Sequence, residues 1–231
     1  MKTILFWDID GTLINSGGAG RLALTRAAGE MGGRTVDLSS LTMAGLTDWA
    51  ISAQILERMD LSPEPVNITM LLDLYQKHLP ASLLESRGDV IQGILEILQA
   101  LQGRDDVLSL LLTGNIEPGA WMKLSRYGLD VYFSGGGFCD GTFERNAIAR
   151  QALAVARHKV GAVNLDRCYV IGDTPHDVRC GQSIGVKTIA IASQRYSFDD
   201  LTACDSWLVW ESFPDPARFM AEIEPHGLPV A

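Results

Sequence analysis

The sequence predicts an α/β protein: a parallel sheet with a block of helices inserted near its start. Three observations lead there. From Gly88 onward, apolar runs alternate with amphipathic stretches, as in repeated strand and helix units. Residues 16–87 show helical spacing throughout and contain no convincing buried strand. Several apolar runs also stop abruptly at polar residues, which would converge at the carboxyl edge of a parallel sheet, where ligands of such folds bind.

The first run, Ile4-Leu5-Phe6-Trp7, reads as a strand that stops at Asp8-Ile9-Asp10-Gly11-Thr12. Side chains alternate along a strand, so Asp8 and Asp10 point to one side, where two anions repel unless a cation or a shared proton lies between them. Gly11 lets the chain turn sharply, and Thr12 leaves a hydroxyl beside the carboxylates. A plain polar turn would have the same composition.

Helices are then expected around Leu22-Ala23-Leu24 with Ala27 and Ala28, over Ile51–Met59 and over Ile68–His78. So long a block is too large for a simple crossover, and it reads as a cap of residues 16–87 on a core formed by 1–15 and 88–231. Gly17-Gly18-Ala19-Gly20 and Ser86-Arg87-Gly88 would be its hinges. Past the block, a helix is expected from Gly88 to Leu101, with Val90, Ile94, Leu95, Leu98 and Leu101 on one face, then a buried strand over Val107–Leu112. The series continues with a helix over Pro118–Tyr127, a short strand over Val131–Phe133, a helix over Arg145–His158 and a strand over Cys168–Ile171. A helix over Val178–Ile184, a strand over Val186–Ala192, and a strand and helix at Trp207–Val209 and Pro214–Ile223 complete it.

Composition narrows the function. The 231 residues suit one medium domain, or a main domain with an insertion, and 47% hydrophobic with 20% charged residues is a globular composition. The net charge of −9 argues against a nucleic-acid partner, which clustered Lys and Arg would hold. If the chain handles phosphate, a metal ion must offset that acidity locally. Cys139, Cys168, Cys180 and Cys204 form no Cys-x-x-Cys pair, so neither a zinc knuckle nor a redox motif is indicated. No stretch has the length of a membrane span, and the start lacks a signal-peptide cleavage site, which places the protein in the cytoplasm.

Two further strand ends carry chemistry. Leu110-Leu111-Leu112 delivers Thr113-Gly114-Asn115, whose hydroxyl and nearby backbone N–H groups can hold phosphate oxygens or equally cap a helix. Val170-Ile171 delivers Gly172-Asp173-Thr174-Pro175-His176-Asp177. Asp173 would face Asp8 and Asp10, giving oxygen donors suited to Mg²⁺. Asp177 would orient the metal's waters or cap the next helix, and His176 could serve as a phosphate-side acid or metal ligand, although a lone His in a loop is more often a solvated surface residue.

Asp8-x-Asp10-Gly11-Thr12, Thr113-Gly114-Asn115 and Gly172-Asp173-x-x-x-Asp177 resemble, in order, the first, second and fourth motifs of the haloacid dehalogenase-like hydrolase superfamily. The helical block after the first motif resembles its phosphoglycolate phosphatase-like branch. The resemblance implies a Rossmann-like core, Mg²⁺ held by Asp8, Asp10 and Asp173 with Asp177 behind them, and phosphoryl transfer through an aspartyl-phosphate on Asp8. Asp10 would serve as general acid and base, with its backbone carbonyl also on the metal. Thr113 would assist, and Gly11, Thr12, Gly114 and Asn115 would lie around the substrate. Gly45-Leu46-Thr47-Asp48 resembles a Gly-x-Thr-Asp stretch of this branch, whose Thr47 and Asp48 would reach the substrate, although a plain helix start explains it equally well.

The third motif, a Lys often followed by Pro, departs from the pattern. Arg145 stands at the matching place and can bridge a carboxylate and a phosphate oxygen. Lys123 competes for the role but reads as a solvated residue of an amphipathic helix. The resemblance implies a small phosphorylated metabolite as partner and a monomer or homodimer. A dehalogenase has no need of the second Asp. A phosphomutase of the β-phosphoglucomutase type would keep every one of these residues, whereas a binding protein on this scaffold would not require three repelling carboxylates.

Overall fold

A computed structural model describes residues 1–224 of the chain; the last part of the expected core, 225–231, lies outside them. In chain order the elements are β1 (Thr3–Trp7), β2 (Ile14–Asn15), α1 (Ala19–Gly32), α2 (Asp48–Arg58), α3 (Pro65–Glu85), β3 (Asp89–Val90), α4 (Ile94–Leu101), β4 (Val107–Leu112) and α5 (Glu117–Arg126). They continue with β5 (Gly136–Gly137), α6 (Arg145–Val160), β6 (Cys168–Gly172), α7 (Pro175–Ser183), β7 (Lys187–Ile191), α8 (Phe198–Thr202), β8 (Leu208–Trp210) and α9 (Pro216–Ile223).

Six strands form one sheet in the order β5-β4-β1-β6-β7-β8, every neighbouring pair parallel. β1 is central: Trp7 stands opposite Leu111 of β4 and Ile171 of β6. Its side chains go alternately to two apolar layers, Ile4 and Phe6 to one and Leu5 and Trp7 to the other. A strand covered on both faces gains about 1.5–3 kcal/mol from each large side chain it buries, which is why β1 is apolar without a break from Ile4 to Trp7. The ends of β4, β1 and β6 therefore lie side by side, and the residues just beyond them are Thr113, Asp8 and Asp173.

The three helices α1–α3 lie between β2 and β3. α1 and α3 pack along each other, α2 packs on α3, and α3 also lies on α5 of the sheet layer. α3 continues past the expected His78, through Pro80, to Glu85, with Leu79 and Leu83 buried. β2 and β3 pair antiparallel, Ile14 with Val90 and Asn15 with Asp89, so the two ends of the helical segment meet in a short ribbon. The expected hinges touch: a Cβ on Gly17 would stand 2.3 Å from the carbonyl oxygen of Arg87.

Two expectations are corrected. The helix expected from Gly88 begins only at Ile94, because Asp89 and Val90 are drawn into pairing with β2; Leu95 is exposed, and Ile97 takes its place on the buried face. Val131–Phe133 is not a strand. Asp130–Tyr132 forms a 3-10 turn, and the edge strand is Gly136–Gly137, whose backbone pairs with Leu111 and Leu112. A strand of two glycines carries no side-chain pattern to read.

Candidate active site

The strand ends meet in a cavity of about 670 Å³ whose lining includes Asp8, Asp10, Thr113, Asn115, Lys123, Arg145 and Asp173. Asp8 extends the parallel ladder, donating its N–H to the Ile171 carbonyl at 2.9 Å. Its carboxylate is buried and accepts a hydrogen bond from Arg145 Nη2 at 3.2 Å. Burial pushes the Asp8 carboxyl up to about 8, with Asp177, Asp173 and Asp10 adding to the rise and Arg145 opposing it. One guanidinium does not balance that many anions.

Asp10 has a different setting. Its Oδ2 accepts from Lys123 Nζ at 2.5 Å and from Asn115 Nδ2 at 2.8 Å. Burial alone would raise this carboxyl, but the charge and hydrogen bond of Lys123, with the Asn115 amide, outweigh it and hold the group below its usual range. Asn115 is fixed in turn, donating to Thr113 Oγ1 at 2.7 Å and accepting from Lys123 at 2.5 Å through Oδ1. The Thr113 hydroxyl thus accepts from the Asn115 side-chain amide and, at 3.3 Å, from its backbone N–H.

Asp173 is buried, and its Oδ1 has no hydrogen-bond partner among the described residues. Burial, with Asp177 and Asp10 adding, pushes its carboxyl up to about 7 against the opposing Ser193 hydroxyl and Arg145. Gly11 makes this closeness possible: its φ is +97°, and a Cβ would stand 2.4 Å from Asp173 Oδ2. Asp8, Asp173 and Asp177 each bring an oxygen within 4.8 Å of the others. Hard oxygen donors, an orphaned buried carboxylate oxygen, and Asp8 and Asp173 carboxyls raised first by burial and further by neighbouring carboxylates suit a divalent cation.

Asp177 caps the next helix, one of the two roles expected of it, and its other oxygen meets Arg145. Its Oδ2 accepts from the Thr174 N–H at 3.0 Å and hydroxyl at 2.7 Å, closing a capping box at the start of α7, while Oδ1 accepts from Arg145 at 2.5 Å. Arg145 is the first residue of α6 and bridges Asp8 and Asp177 from there.

Several placements differ from expectation. The third carboxylate near Asp8 and Asp173 is that of Asp177, because Lys123 and Asn115 turn Asp10's aside. Thr12 is fully buried, off the cavity lining and, among the described residues, without a hydroxyl partner; turn bonds run from the Thr12 and Leu13 N–H groups to the Ile9 carbonyl. Thr47 also lies off the lining. It caps α2, accepting from Ala50 N at 3.1 Å, and donates to the Thr142 carbonyl at 2.9 Å. Asp48 does line the cavity, but its Oδ2 accepts from the Ile116 N–H at 2.8 Å, capping α5 from another element. His176 is half-buried against the backbone of Gly45, and burial, with Arg179 and Arg145, holds its imidazole below the usual range.

Lys123 is the largest correction. It is 4% exposed and sits inside the site, paired with Asp10, where Asp10, Tyr75 and Asp48 hold its ammonium charged against the pull of burial. The signal was in the sequence: Ile116, Ala120, Lys123, Leu124 and Tyr127 fall on one helical stripe, so Lys123 shares the inward face of α5.

The sequence model described as haloacid dehalogenase-like hydrolase matches residues 5–182, the stretch that carries all of these strand ends. The chain belongs to the haloacid dehalogenase-like hydrolase family. No curated protein matches it. Among solved structures, this hydrolase family member is similar to a hydrolase from Pseudomonas syringae, with TM-score 0.71 and 18% identity over 97% of this chain and 100% of that one. It is also similar to CbbY from Rhodobacter sphaeroides in complex with phosphate, with TM-score 0.72 and 17% identity over 92% and 95% of the two chains. A predicted phosphoglycolate phosphatase from Haemophilus somnus has TM-score 0.67 and 14% identity over 95% and 98%. At these identities the likeness is one of fold, and it accords with the parallel sheet flanked by helices.

Proposed function

We propose that the chain is a Mg²⁺-dependent phosphatase that hydrolyses a small phosphate monoester, phosphoglycolate-like or a sugar phosphate, through an aspartyl-phosphate on Asp8. One observation supports this reading: two carboxylates from one strand end lie in different surroundings, Asp8 with Arg145 near the partnerless Asp173 oxygen, Asp10 with Lys123 and Asn115. Separating the environments of paired carboxyl groups is how one site runs nucleophilic and acid–base chemistry together.

In the first half, an Asp8 oxygen attacks phosphorus, the bond to the leaving oxygen breaks, and Asp10 gives that oxygen a proton. Asp10 must carry a proton at that point, and the entering phosphoryl anion favours this by raising its pKa. In the second half, Asp10 takes a proton from water as the water oxygen attacks phosphorus and the bond to Asp8 breaks. Arg145 steadies Asp8, and the Thr113 hydroxyl and nearby backbone N–H groups meet the phosphoryl oxygens. Asp8 and Asp173, with the Asp10 backbone carbonyl that the family resemblance implies, would hold Mg²⁺, and Asp177 would support them through Arg145. Bound there, the ion supplies the positive charge that lets an anionic ester approach a carboxylate. Residues 16–87 would act as a cap that keeps bulk water out.

The test is inorganic phosphate release from phosphoglycolate, sugar phosphates and para-nitrophenyl phosphate, with Mg²⁺ and with EDTA. Metal-dependent release is expected. Folded, Mg²⁺-bound protein that releases none from any ester would overturn the reading, and activation by a sugar bisphosphate with slow release would make the chain a phosphomutase.

A further inference from the structure

Lys123 stands outside the strand-end segments, on α5, and two donors meet on a single oxygen of Asp10, the Lys123 ammonium at 2.5 Å and the Asn115 amide at 2.8 Å. The amide is itself fixed, to Thr113 Oγ1 at 2.7 Å and to Lys123 at 2.5 Å, so its direction is set from both sides. The other Asp10 oxygen takes part in neither bond, and Asp10 lines the cavity. A buried lysine is tolerated only where an anion pairs with it. Here that anion is Asp10, while Asp8, two residues earlier, pairs with Arg145. The helical segment covers the pair: a Cβ on Gly20 of α1 would lie 3.8 Å from Lys123 Nζ and 4.0 Å from the hydroxyl of Tyr75 on α3.

The geometry points to Lys123 as the positioning residue for Asp10: with Asn115 it fixes one carboxylate oxygen and holds the group out of the Asp8, Asp173 and Asp177 cluster, leaving the second oxygen for the leaving group. This rests on the reading of Asp10 as acid and base. A lysine that served only to join α5 to the helices above it would affect all substrates alike. A positioning residue acts where the leaving oxygen needs a proton. An alkyl leaving group needs one, and para-nitrophenolate, a weak base, does not.

The experiment compares kcat/KM of the wild type, Lys123→Met and Lys123→Arg on an alkyl phosphate and on para-nitrophenyl phosphate, with a crystal structure of Lys123→Met. The expected result is a loss of about 100-fold on the alkyl ester and no more than about fivefold on the aryl ester, with Lys123→Arg between. The crystal structure should show Asp10 turned from its present place. Equal losses on both esters, or an unmoved Asp10, would overturn the assignment. Should Lys123→Met fail to fold, the ratio of alkyl to aryl losses in Lys123→Arg decides in the same way. A wild type inactive on both esters would bring down the phosphatase reading, and the Asp10 position in the variant crystal would still decide what Lys123 holds.

Discussion

Asp8 and Asp10 leave the same strand end and finish in opposite surroundings. Asp8 is crowded by Asp177 and Asp173 with a single guanidinium to offset them, whereas Asp10 is met by both an ammonium and an amide. Asp8→Asn is therefore expected to abolish phosphate release while leaving the fold intact, and to raise the melting temperature of metal-free protein at pH 8, because it removes a buried negative charge. Any substantial turnover by that variant would remove Asp8 from the nucleophile's place. Arg145→Ala leaves two buried carboxylates without their cation and should destabilise the fold by about 3 kcal/mol in urea denaturation. It should also cost more kcat/KM on para-nitrophenyl phosphate than Lys123→Ala does, and the reverse ranking would exchange their roles. Asp8, Asp173 and Arg145 were legible because each directly follows a strand or starts a helix, where position dictates direction. Lys123 was not, because a lysine weighs as solvent-facing even on a stripe with Ala120 and Leu124, and only the anion across the cavity makes its burial affordable.

Among the elements, the loop that leads into α2 is the busiest junction. Asp48 donates its N–H to the Gly114 carbonyl at 2.7 Å and accepts from Ile116 N–H, Thr47 reaches the Thr142 carbonyl, and Trp49 meets Phe143 edge to face. One loop thus touches the segments that deliver Thr113, Asn115 and Arg145. Asp48→Ala removes the side-chain cap of α5 and should lower stability by about 1 kcal/mol, with faster proteolytic cleavage of residues 38–48. A variant with unchanged stability and cleavage would show that the cap bond is not what seats the loop. Gly114→Ala would place a Cβ 2.3 Å from the Leu46 carbonyl oxygen and should loosen the same loop. The long elements here were readable from apolar spacing, as in β4 and α6. The edge strand Gly136–Gly137 and the shortened start of α4 were not, since both are set by backbone pairing with a neighbour and not by side chains of their own.

Across the whole molecule, the buried carboxyls link proton binding to stability. Asp8 at about 8 and Asp173 at about 7 are raised above the ordinary value of 3.8, so the folded state holds protons that the unfolded chain gives up. Their contribution favours folding at low pH and is lost as pH rises toward 8. Metal-free protein should therefore melt at lower temperature at pH 8.5 than at pH 6, and excess Mg²⁺ should narrow the gap while binding more tightly at the higher pH. A pH-independent melting temperature in EDTA would contradict the crowded-carboxylate account. Among the described residues no helix is long and apolar enough to cross a membrane.

The ribbon of β2 and β3 makes the architecture modular. Asn15 stands opposite Asp89, so a two-residue Asn-Gly link between them would close the ribbon as an ordinary hairpin, bypassing residues 16–88 without removing a strand from the sheet. The chain can thus be treated as a socket with an exchangeable insert: on the proposed reading the strand ends would supply the reacting groups, and a different helical block spliced between the same two residues would redraw what is admitted to them.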